Sequence, residues 1–293
     1  MHKSEGGSPL NTNIINLMYS QLIFAAWGLI AREVPINGML LVMIMGISGA
    51  IFCWVVLPRS AFPIPKGSII VGINLTLDTL LLIYAYRHLP LATVITIHFL
   101  GPLIVQFAAP LLLREHPTKS QYLLAVFGFI GAYFVAQPKF SYSELTGILA
   151  AFASAFTLAG NIIFQKLRMN KAAEPAIAVV QYNIVLALCS CTIFIVGYLL
   201  YPDYVQSINV YLILLAAIAG LLVQGLAMLI FNRAIQKVPG SVAAIVSTIE
   251  VVFAAILGAI IYKENLTIIQ MAGMLSVLFS ISIINAQKGQ HDE

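Results

Sequence analysis

Ten apolar runs of about 20 residues, joined by short connectors, decide what this chain can fold into. They cover approximately residues 14–31, 37–57, 68–86, 91–113, 121–137, 145–164, 175–200, 210–231, 241–262 and 266–285. A helix needs about 20 residues, at about 1.5 Å each, to cross a hydrocarbon core about 30 Å thick. Connectors such as "PRSAFPIPKG", "RHLP", "REHPTK", "YPDY" and "QKVPG" carry turn chemistry and leave nothing over for a soluble catalytic or regulatory domain. The expected fold is an all-α integral membrane protein of ten transmembrane helices. Composition agrees: 60% of the 293 residues are hydrophobic and 9% charged, against about 25% charged in soluble domains.

The polar start lacks a basic region followed by a small-residue cleavage site, so the first apolar run is expected to be retained as a span. Cys53, Cys189 and Cys191 all lie inside apolar runs and form neither a disulfide framework nor a metal-ligand pattern. The net charge of +4 says nothing of nucleic acid, because it comes from short loops. With the N-terminus cytoplasmic, 11 of the 15 basic residues fall inside, leaving Arg32, Arg87, Lys139 and Lys263 outside. The positive-inside bias thus places both termini in the cytoplasm.

An internal repeat divides the chain. "AYRHLPLATVITIHFLGPLIVQFAAPLLLREHPTKSQ" aligns without a gap on "AIQKVPGSVAAIVSTIEVVFAAILGAIIYKENLTIIQ", at an offset of 149 residues. Ala85 meets Ala234, Pro90 meets Pro239, Glu115 meets Glu264, Thr118 meets Thr267 and Gln121 meets Gln270. Each half, 1–139 and 140–293, holds five spans. An odd number makes the second half enter the membrane upside down relative to the first. Inverted repeats around a midplane site are an architecture by which secondary transporters alternate access.

These turns and helix ends resemble the drug/metabolite transporter superfamily, as paired EamA-type five-helix repeats over residues 14–285. The resemblance implies a small-molecule transporter in a bacterial inner membrane, with its cavity built from spans one, three, four, six, eight and nine. "IHFLGPLIV" is similar to the fourth-helix segment of threonine/homoserine-type exporters, which more usually carries Glu where His98 stands.

Polar residues inside the spans mark candidate solute contacts. Asp78 sits mid-span, with Asn74 one turn earlier on the same face. A charge at that depth costs about 2.5 to 3.5 kcal/mol on insertion scales, so it needs a wet cavity or a partner. It can bind a solute ammonium or a coupling proton, or it can hold helices together. His98 lies at similar depth; it can pair with Asp78 and respond to a proton gradient, or rest neutral on a backbone carbonyl. Glu250 is central in span nine. By the repeat, His98 corresponds to Ser247 and Gly101 to Glu250, so the two helices present equivalent faces to one expected cavity. Gly101 and Pro102 should kink span four, for gating or for packing. Ser154, Thr157, Asn161 and Gln165 form a polar stripe along span six, of which Asn161 is the expected solute contact. Trp27, Tyr84 and Tyr182 can supply aromatic walls, and Asn183 or Gln224 hydrogen bonds. Glu115 and Glu264, beside Arg114 and Lys263, are expected to cap helices or form local salt bridges.

The chain lacks a phosphate-cradling loop, a zinc-protease motif and a nucleophile elbow. Neither an ATPase nor a hydrolytic enzyme is expected, and no cofactor or metal. Two buried acids with one His, and no membrane-buried Lys or Arg, favour a cationic or zwitterionic solute over a polyanion. The expected cargo is a small amino acid or amine-bearing metabolite, exported by alternating access. The second expectation is uptake or exchange of a positively charged nucleotide-like metabolite such as S-adenosylmethionine. Expected partners are that solute, protons as coupling ion and the bilayer, with no nucleic acid.

Overall fold

The computed structural model describes residues 9–33, 38–56, 61–138, 145–200, 210–263 and 265–289. The sequence-expected boundary between residues 139 and 140, the "YPDY" connector and Glu264 lie outside the described residues. All regular structure among the described residues is helical.

The first repeat contains α1 (Pro9–Glu33), α2 (Gly38–Val56), α3 (Lys66–His88), a fourth span broken into α4 (Leu91–His98) and α5 (Gly101–Leu112), and α6 (Lys119–Ala136). The second contains α7 (Leu145–Met169), α8 (Pro175–Leu200), a span made of α9 (Val210–Gly220), a π-helical segment (Leu221–Ala227) and α10 (Met228–Lys237), a span broken into α11 (Gly240–Ser247) and α12 (Ile249–Tyr262), and α13 (Ile268–Gly289). Among the described residues, nine helical spans are long and apolar enough to cross a membrane. The tenth helix, α1, is 25 residues long.

The two repeats do not sit side by side. α1 packs on the π segment, α10, α11 and α12, the eighth and ninth spans, while its counterpart α7 packs on α3, α4 and α5, the third and fourth. Each repeat thus lends its first helix to the other. The remaining contacts obey the same pseudo-twofold relation, with α2 on α8, α5 on α11 and α6 on α13. Few apolar side chains drive such packing within a bilayer, where close backbone approach through small residues takes over. Gly131 of α6 and Gly273 of α13 face one another so closely that a Cβ on either would stand 2.7 or 2.6 Å from the other's carbonyl oxygen. Gly49 of α2 plays the same part against the π segment, where a Cβ would fall 2.6 Å from Gln224 Cβ.

The fourth and ninth spans break at repeat-equivalent positions, just after His98 and just after Ser247. Sequence reasoning finds only the first of these, through Gly101 and Pro102. Pro102 has no N–H with which to reach the His98 carbonyl. In the second repeat the interruption comes from Thr248 instead: its amide and its hydroxyl both turn back to the Ile245 carbonyl, at 3.2 and 2.7 Å. Such back-bonding competes with the helical ladder and bends it. Gly101 also meets a packing need, since a Cβ there would lie 2.9 Å from the Ala155 carbonyl oxygen of α7.

Replacing Gly131 or Gly273 with Val should destabilise the α6–α13 contact by about 1 to 3 kcal/mol, the usual cost of overpacking. Thermal unfolding of the detergent-solubilised variants checks this, and unchanged melting temperatures would show that the two helices are free to separate.

Candidate functional site

The polar stripe of α7 is where this site is assembled. Thr157 Oγ1 donates to Asp78 Oδ1 at 2.5 Å, and Asn161 Nδ2 donates to Asp78 Oδ2 at 2.9 Å. Asn74 Nδ2 adds bonds to Asn161 Oδ1 at 2.6 Å and to the Thr157 carbonyl at 2.8 Å. The other ends of the stripe are equally engaged. Ser154 Oγ lies 3.0 Å from His98 Nδ1, and Asn232 Nδ2 donates to Gln165 Oε1 at 2.8 Å. Four residues spaced three, four and four apart thus join α7 to α3, α4 and α10.

A cavity of about 180 Å³ lies against this network, between the repeats. Its walls come from α1, α3, α4, α7, the π segment, α10, α11 and α12, which are spans one, three, four, six, eight and nine. Asp78 and Glu250 contribute one carboxyl from each repeat, and neither Lys nor Arg lines it among the described residues. Trp27, Phe24, Tyr86, Phe99 and Phe231 supply aromatic surface. Gln21, Thr79, His98, Asn161, Gln165, Gln224 and Ser247 add polar lining.

Asp78 and His98, for which sequence leaves a direct pair open, make no hydrogen bond or ion pair with one another among the described residues. Asp78 is taken by Thr157 and Asn161, and His98 by Ser154, with Phe99 edge-on to its ring at 5.8 Å. Glu250 occupies the first turn of α12, two residues after the break at Thr248. Neither of its oxygens has a hydrogen-bond partner among the described residues. Ser247 lines the cavity and accepts from Gln21 Nε2 at 3.3 Å.

The structure puts three of the named residues elsewhere. Tyr84 is 44% exposed and stacks on His88 with ring centroids 4.2 Å apart, so it faces away from the cavity. Tyr182 is fully buried in the core of α8 and lines no part of the cavity. Asn183 donates to the backbone carbonyl of Gln224 at 2.9 Å rather than facing a solute. Conversely, Gln21, Phe24, Tyr86 and Phe231 were not singled out from sequence. Tyr86 was findable, because 78, 82 and 86 share one helix face and all three line the cavity. The π segment that carries Gln224 leaves no signature in the residue pattern.

At one end of the bundle the Pro239 turn is fastened from both sides. Lys166 Nζ donates to the carbonyls of Ile235, Gln236 and Val238 at 2.9, 3.3 and 2.8 Å, closing the C-terminus of α10. Glu115 closes the N-terminus of α11 from the opposite repeat, accepting from the amides of Gly240 and Ser241 at 2.7 and 2.9 Å. Gln106 Nε2 adds a bond to the Ser241 carbonyl at 2.6 Å. Arg114 aims Glu115 by adopting a left-handed backbone, φ 57°, and its repeat counterpart Lys263 does the same at φ 56°. The sequence expectation of capping thus holds for Glu115, although the helix it caps belongs to the other half. Further contacts at this end join Arg168 Nε to Ser68 Oγ at 2.8 Å and Ser68 Oγ to Gln181 Oε1 at 2.8 Å. The cavity stops short of these fasteners, at Gln165 and Phe231, and reaches toward the Pro90 end as far as Tyr86.

Two halves of the sequence, residues 11–137 and 145–286, each match the profile of the EamA-like transporter family. The chain belongs to the EamA-like transporter family. It is accordingly a multi-pass membrane transporter of the drug/metabolite type. A crystal structure of another protein has the same fold, with a TM-score of 0.79 at 14% identity, over 93% of this chain and 97% of that one. No curated protein matches the chain. Within the EamA-like frame, the cavity lies where the two repeats meet, with the Lys166 and Glu115 bonds across its Pro239 end.

Glu115→Ala should remove two charge-assisted hydrogen bonds across the repeats and cost about 1.5 to 3 kcal/mol. The expected outcome is a lower melting temperature together with faster thiol labelling of a cysteine placed at Ser241. Unaltered labelling would mean that the cap does not hold this end shut.

Proposed function

We propose that this EamA-like protein is a secondary active transporter that exports a small amino acid or other amine-bearing metabolite by alternating access. The observation that carries the reading is the charge of the cavity: one carboxyl from each inverted repeat, Asp78 and Glu250, and no Lys or Arg among its described lining residues. A site of that sign attracts cations and repels polyanions. It also offers a proton the same place as the solute cation, which is the simplest way to couple efflux of one to entry of the other. His98 stands on the same wall to share that proton.

With the Pro239 end cytoplasmic, as the basic-residue bias favours, both termini are cytoplasmic in a bacterial inner membrane and the cavity faces outward here. Rocking would open the Glu115 cap and close the Pro90 end, with the breaks beside His98 and Ser247 as the bends, and Gly101–Pro102 as the first of them. A volume of about 180 Å³ suits an amino acid better than the nucleotide-like cation that sequence also suggested, since pockets for drug-sized ligands run from about 300 to 1,000 Å³.

The test is counterflow in proteoliposomes with a radiolabelled panel of amino acids plus S-adenosylmethionine, at two pH values. Saturable exchange of an amine-bearing solute, abolished by the double variant Asp78→Asn with Glu250→Gln, is the expected result. Exchange confined to anionic solutes would remove the substrate class while leaving the transporter.

A further inference from the structure

The two cavity carboxyls differ in one respect that the charge count conceals. Both oxygens of Asp78 already accept hydrogen bonds, from Thr157 at 2.5 Å and Asn161 at 2.9 Å. Those donors belong to α7, the helix lent by the other repeat, so the carboxyl of Asp78 works as a clasp between halves. Glu250, part-buried in the cavity lining of the second repeat, has no hydrogen-bond partner among the described residues. A second acceptor on the same repeat is also idle. Gln224 is 8% exposed, lines the cavity, and its Oε1 is buried without a partner among the described residues. The π segment holds it there: Asn183 anchors the Gln224 backbone carbonyl at 2.9 Å, and close packing on Gly49 fixes the turn. A buried acceptor without a donor costs about 1 to 3 kcal/mol, a deficit that a ligand N–H can remove.

Resting on the transporter reading, we infer that Glu250 and Gln224 form the cation-recognition wall for a protonated amine or guanidinium, while Asp78 is a positioning residue that binds the repeats together. Both acceptors lie on the second repeat, and Trp27 and Phe24 of α1 supply aromatic faces to the same chamber. A cation with several N–H donors satisfies the carboxylate and the amide oxygen together, and gains from the ring faces. A neutral solute of equal shape leaves both acceptors as they are.

The experiment measures ligand-induced thermal stabilisation of the purified full chain by methylguanidinium against methylurea and butylammonium against butanol, with counterflow of the same four solutes in parallel. Wild type is expected to prefer the cation of each pair by at least about tenfold, the worth of one charge-assisted hydrogen bond. Glu250→Gln should bring both ratios to about one, and Gln224→Ala should reduce them. Asp78→Asn should lower the unliganded melting temperature and reduce the ratio less than Glu250→Gln does. Should Glu250→Gln not fold, Glu250→Asp keeps the charge one carbon further back and is expected to weaken cation binding while retaining selectivity for charge. The inference is overturned if wild type shows no cation preference, if Glu250→Gln retains it, or if Asp78→Asn loses it as fully. A preference for cations without any counterflow would sink the transport of these solutes and leave the wall in place. Counterflow of the neutral solutes without a preference would do the reverse.

Discussion

Polar groups at membrane depth have no water to turn to, and every feature of this bundle follows from the need to satisfy them from within. The side chains of α7 show the constraint most directly. A helix carrying Ser154, Thr157, Asn161 and Gln165 along one face cannot present that face to lipid. It is accommodated by insertion between α3 and α4 of the other repeat, where Asp78, Asn74 and His98 need donors and acceptors in turn. The acid that insertion scales penalise and the stripe that lipid rejects are each other's remedy. α1, in the equivalent place on the other side, meets α11 through Gln21 and Ser247.

Once the two lent helices are seated, the cavity follows from geometry. Each brings polar and aromatic side chains to the inner face of the opposite repeat, and the breaks after His98 and Ser247 stop the fourth and ninth spans from filling the gap. The chamber is therefore lined by both halves everywhere. Motion of one half against the other changes its walls on all sides at once, whereas the outer pair α6 and α13, in backbone contact at Gly131 and Gly273, can stay together.

Much of this was legible in the residue pattern because its causes are local. Span length, the 149-residue repeat and the positions of Pro90 and Pro239 are properties of short stretches, and they carry the ten-helix count and the two-repeat layout. Asp78, Asn74 and Asn161 were recognisable for the same reason, as polar exceptions in apolar runs. What stayed hidden depends on the third dimension. Tyr84 reads by type as a cavity wall, and only the packing of α3 shows it turned outward onto His88, while Tyr86, on the face of Asp78, lines the cavity. Glu115 reads as a local helix-end residue, and only the inverted arrangement brings it to the N-terminus of α11. The π segment is invisible in composition, since the extra residue that turns Gln224 toward the chamber has no required identity.

The exchange of first helices also sets the order in which such a chain can mature. When α1 to α6 have entered the bilayer, Asp78 and Asn74 still lack Thr157 and Asn161, and α1 lacks the helices it packs on. The leading half must wait, with an acid facing lipid or transient water, until α7 emerges to relieve it. Maturation of the first half thus depends on the sixth span: a chain that ends before residue 161 lacks a donor that Asp78 uses in the finished bundle.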